Sequence, residues 1–78
     1  MVAERKMLRT NKAPNGKEIR RARLAAGLTQ DDLARLVRAE IPGLRTTGMT
    51  ISFWECGHRK PTGPSAVALK RVLETLGG

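Results

Sequence analysis

Two stretches, Thr29-Gln30-Asp31-Asp32-Leu33-Ala34 and Ile51-Ser52-Phe53-Trp54-Glu55-Cys56-Gly57, decide how this chain folds. Each reads as a short capped helix. Thr29 has the side-chain oxygen of an N-cap, and Asp32 falls at the third helical position after it; Asp31 and Asp32 also suit the positive end of a helix dipole. Leu33, Ala34, Leu36 and Val37 then supply a buried face. The helix should end near Ala39 or Glu40, because Pro42 disfavours helix at Ile41 and Gly43 follows. Residues 41–46 read as a connection. The next helix starts around Thr47 and runs to Cys56, with Gly57 in the left-handed position that stops it. Thr50 and Ile51 are β-branched and weigh against helix, but a strand here has no pairing partner in the chain. Ile51 and Trp54, three apart, face inward, and Met49, Ser52 and Phe53 lie toward the outside. The basic run His58-Arg59-Lys60 follows.

On the N-terminal side, Asn15 and Glu18 have the spacing of a capping box. Lys17 to Ala26 are mostly good helix formers, and Gly27 marks the stop. Ile19, Ala22 and Ala26 share one face. Arg23 falls close to it, which makes it the odd residue there. Residues 1–14 have no helical or strand period, carry Arg5, Lys6, Arg9 and Lys12, and end at Pro14. They read as a basic flexible arm that tracks phosphates, lies in a minor groove, docks Val2, Met7 and Leu8 on a second subunit, or is simply solvated.

On the C-terminal side, Thr62 caps a last helix with Pro64 in its first turn, where a missing N–H costs little. Leu69, Val72, Leu73 and Leu76 form the clearest amphipathic stripe in the chain. The stripe is expected to close the core over the three preceding helices, with part of it available as a dimer surface.

The 78 residues allow one small domain. One Cys and one His exclude an internal disulfide and leave no plausible structural zinc site, so no cofactor or metal is expected. No run of about 18 apolar residues offers a membrane span, and the first residues lack a signal peptide's apolar stretch. A reducing, cytoplasmic setting is expected. The net charge is +8, and residues 1–28 hold eight Lys/Arg against two Glu. That imbalance points to a polyanion, either nucleic acid or an anionic membrane surface. The last helix has only Lys70 and Arg71 as cations and lacks aromatic anchors, so the membrane reading is the weaker. No nucleophile with an oriented base is visible, and no enzyme activity is expected.

Taken in order, Gly27-Leu28-Thr29-Gln30-Asp31-Asp32-Leu33-Ala34 and Ile51-Ser52-Phe53-Trp54-Glu55-Cys56-Gly57-His58-Arg59-Lys60-Pro61 resemble the lambda-repressor/Cro-type (XRE) helix-turn-helix family, over roughly residues 15–76. The resemblance implies an all-α fold, a compact bundle of four or five short helices containing a helix-turn-helix in residues 15–78. It also implies double-stranded DNA as partner, bound by a homodimer on an inverted repeat, and the role of a transcriptional repressor, frequently of its own promoter, close to the nucleoid. By position, Gln30 matches a phosphate contact. Thr47, Met49, Thr50, Ser52 and Phe53 match the exposed face of the recognition helix. Arg23 and Glu55 match an ion pair between the first and third helices. One departure stands out: the connection before the recognition helix is about seven residues longer than the family needs.

From their chemistry, Arg59 and Lys60 are phosphate contacts, with Arg45, His58, Arg9 and Lys12 as further candidates. Thr50 and Ser52 can hydrogen-bond to several bases, and Met49 and Phe53 can pack on thymine methyls. The alternative reading makes Met49 and Phe53, or the last helix and the arm, a surface for a protein partner such as a toxin. Cys56 reads as a small residue at a helix end, or else as a redox-sensitive one.

Overall fold

The computed structural model describes residues 14–77. They form four helices: α1 (Gly16–Ala25), α2 (Gln30–Glu40), α3 (Gly48–Cys56) and α4 (Gly63–Gly77). No strand occurs among the described residues, and the fold is a small all-α bundle.

Local chemistry sets the helix ends. Asn15 Oδ1 accepts from the Glu18 N–H and Glu18 Oε1 from the Asn15 N–H, both at 2.9 Å. Thr29 and Asp32 make the same reciprocal pair at 3.0 Å, and Thr47 and Thr50 at 3.3 Å. Each box satisfies two backbone donors that a helix start would otherwise leave open. At the other end of α1, Gly27 takes φ +73°. The Leu28 N–H then donates to the Arg23 carbonyl and the Gly27 N–H to the Leu24 carbonyl, each at 3.0 Å. This paired closure is open to glycine because it has no Cβ to clash in the left-handed region.

Nine apolar side chains make the core: Ile19 from α1, Leu33, Ala34 and Val37 from α2, Ile51 and Trp54 from α3, and Ala68, Leu69 and Val72 from α4. α2 packs against both α3 and α4, and α1 against the same two. The stripe on α4 packs mainly against α1 and α2, and its Ala68, Leu69 and Val72 share one core with Ile51 and Trp54 of α3. Leu73 and Leu76 continue the stripe, partly buried against the core.

Two side chains expected inside are exposed. Leu36 is 38 % accessible; at about 100° per residue it lies roughly 100° from the middle of the arc set by Leu33, Ala34 and Val37. Ala26 is exposed because α1 ends at Ala25 and Ala26 is its cap.

The connection between α2 and α3 is folded. Leu44 N–H donates to the Ile41 carbonyl at 3.4 Å across Pro42 and Gly43, and Gly43 takes φ +97°. Proline followed by a positive-φ glycine suits a type II turn. Ile41 and Leu44 pack against the core, Thr46 is 4 % exposed, and Arg38 Nη1 donates to the Thr46 carbonyl. The arm, residues 1–13 with Arg9 and Lys12, lies outside the described residues. None of the described helices is long and apolar enough to cross a membrane.

Candidate nucleic-acid interface

α3 is set into the bundle by its two ends. Gly16 opens α1 directly against the last turn of α3: a Cβ there would overlap the Glu55 carbonyl oxygen and stand 2.7 Å from that of Trp54. Gly48 opens α3 against the start of α2, and a Cβ there would overlap the Asp31 carboxylate and stand 3.3 Å from the Asp31 backbone nitrogen. Only glycine fits at either place without displacing backbone or the carboxylate. Both glycines, and Arg38 behind Thr46, position the helix, and the sequence pattern singled out none of the three. A glycine in a first helical turn is a poor helix former, and that oddity is the one local signal of the two close approaches.

A polar cluster ties α3 to its neighbours. Arg23 Nε donates to Glu55 Oε2 at 2.6 Å and its Nη2 to Glu55 Oε1 at 3.1 Å, while Nη1 donates to the Leu28 carbonyl at 3.0 Å. The side chains are 11 % and 5 % exposed. Gln30 Nε2 donates to the same Glu55 Oε1 at 3.2 Å. One carboxylate thus collects donors from α1 and α2. The hydrogen bond to Glu55 raises Arg23 above its ordinary value, against the opposing effect of burial. Gln30, at the start of α2, therefore has its amide turned inward to Glu55.

At the exit of α3, Gly57 takes φ +81° and reverses the chain. The His58 N–H donates to the Phe53 carbonyl at 3.0 Å and the Arg59 N–H to the same oxygen at 3.4 Å. Residues 58–59 thereby fold back beside the half-buried Phe53. The Arg59 guanidinium lies 5.5 Å from the centre of the Phe53 ring, and the His58 ring meets it edge-on at 6.2 Å. Arg59 and Lys60 also line an open groove with Pro14, Asn15, Gly16, Trp54, Gly57 and Pro61.

The remaining candidates divide by what their atoms already do. Met49 stands 68 % exposed on α3, and Ser52 is half-buried. Thr47 and Thr50 spend their hydroxyl oxygens on the helix start, 3.2 Å from one another. Arg45 is exposed in the connection, away from the α3 exit in sequence, and His58, Lys60 and Cys56 are exposed at the exit itself. Asp32, in the cap of α2, is held below its ordinary carboxylate value by the Thr29 backbone N–H first and the Thr29 hydroxyl second.

Compared with models of known families, with curated proteins and with solved structures, this chain matches none of them.

Proposed function

We propose that this chain is a sequence-specific DNA-binding regulator of the lambda-repressor/Cro type, acting as a homodimeric repressor at an inverted repeat. The observation that carries the reading is α3 itself. Its Ile51 and Trp54 are buried while Met49 stands 68 % exposed, and the exposed cations Arg59 and Lys60 follow at its exit. In this reading α3 enters the major groove, Met49 and Ser52 meet base edges, and the exit cations hold the backbone. The hydroxyl oxygens of Thr47 and Thr50 already accept backbone N–H groups at the helix start and at most one hydroxyl donates to the other, so direct base contacts are few and DNA shape contributes to selectivity. A net charge of +8 supplies the sequence-independent attraction.

Selection from a random duplex library at near-physiological salt tests this. A two-fold symmetric motif is expected among the recovered sites, its spacing giving the distance between half-sites. Recovery of no enriched sequence would sink sequence-specific regulation. A second reading, a module gripping a protein partner, draws on the exposed Leu24, Met49 and Val67; a stoichiometric partner on purification, together with failed selection, would favour it.

A further inference from the structure

Arg59 is held differently from Arg23 and Arg71. Arg23 spends its donors on Glu55 and Leu28, and Arg71 lies 3.8 Å from the Glu40 carboxylate. Arg59 has no carboxylate partner among the described residues. Its guanidinium rests instead over the Phe53 ring, 5.5 Å from the centroid. A ring face attracts a guanidinium without neutralising it, and the planar N–H donors at its rim stay available to an anion. The backbone reinforces this: Phe53 contributes the carbonyl that receives the His58 and Arg59 N–H groups, and Gly57 supplies the left-handed reversal. Ring and carbonyl of one residue therefore fix a charged side chain just past the end of α3.

We propose that Phe53 is a positioning residue for Arg59, seating its guanidinium for a phosphate oxygen, and reads no base. The inference rests on the DNA reading above and gives Phe53 a role other than the thymine contact expected from its place on α3. Ordering a long cation before binding lowers the entropy lost when it meets phosphate. An exposed cation–π contact of this kind corresponds to about a two- to five-fold change in affinity.

The test is a double-mutant cycle of Phe53→Leu and Arg59→Ala, with affinities measured for a selected site and a scrambled duplex of equal length. Thermal melts confirm folding, and Phe53→Met replaces Phe53→Leu if the latter does not fold. Phe53→Leu is expected to weaken both duplexes by about two- to five-fold, to have no further effect once Arg59 is Ala, and to be rescued by Phe53→Tyr. In the free protein, the upfield ring-current shift of the Arg59 side-chain protons should disappear in Phe53→Leu. A base preference altered at one operator position, or effects that simply add, would overturn the positioning role and leave the DNA reading intact. Binding of no duplex by the wild type would overturn both.

Discussion

Replacing Glu55 by Ala would strand two donors of Arg23 and one of Gln30 at a place where the carboxylate is only 5 % exposed. Removing one partner of a fully buried pair costs about 3–5 kcal/mol and of this partly buried one less, whereas replacing both by apolar side chains of similar volume is often close to neutral. Urea unfolding of Glu55→Ala should therefore show a large drop in stability, and Arg23→Met/Glu55→Met a much smaller one. Equal drops in the two would mean that the cluster does not act as a unit. At this scale the sequence was partly legible. An Arg beside an apolar face in the first helix is anomalous, and a family likeness pointed to its partner. The convergence of Gln30 on the same oxygen was not legible, because it depends on how far the start of α2 stands from the last turn of α3.

Helix caps act at the scale of one element, and α2 offers a pH handle on them. Asp32 accepts from the Thr29 N–H at 3.0 Å, and its value is lowered from the ordinary 3.8. A carboxylate lowered on folding adds stability at pH above its unfolded value and loses it as pH falls through the folded one. Wild-type stability should therefore decline on acidification below about 4, partly through this cap. Asp32→Asn should show a shallower decline over that window, measured by thermal melts at stepped pH. An identical slope would remove Asp32 from the acid response. The caps of α1 and α2 could be read from sequence because each is a contact over three residues, independent of the rest of the chain; the Thr47–Thr50 box of α3 was missed because Thr50 weighs against helix on propensity. The placing of Leu36 was legible too, because Leu33, Ala34 and Val37 already fix an arc from which it stands about 100° away.

Across the whole molecule, charge and assembly are the properties that set how it meets a partner. Residues 1–13 carry four cations and one Glu, and Pro14, which follows them, lines the groove beside Arg59 and Lys60. Under the DNA reading the four cations of residues 1–13 are phosphate contacts. Removing one cation from a phosphate lowers the slope of log affinity against log salt by about 0.9. Deleting residues 1–13 is thus expected to reduce the slope by about 2–4, with thermal stability and site preference little changed. An unaltered slope would leave the arm cations to solvent. Leu73 and Leu76 are already partly engaged with the core, which leaves less of α4 for a second subunit than its stripe suggested.

The sequence alone determined the all-α character, the caps of α1 and α2, the glycine stops of α1 and α3, and most of the core, because these follow from i to i+3 contacts and from apolar periodicity. The fold back at residues 57–59 was only half visible: Gly57 announced the reversal, but the stacking of Arg59 on Phe53 needed the chain to be built. Tertiary structure decided the rest. It required glycine at Gly16 and Gly48, where two helix ends meet, and it packed α4 mainly against α1 and α2. It also folded the long connection down through Ile41, Leu44 and Arg38. Each of these depends on distances between segments far apart in sequence, which no local pattern records.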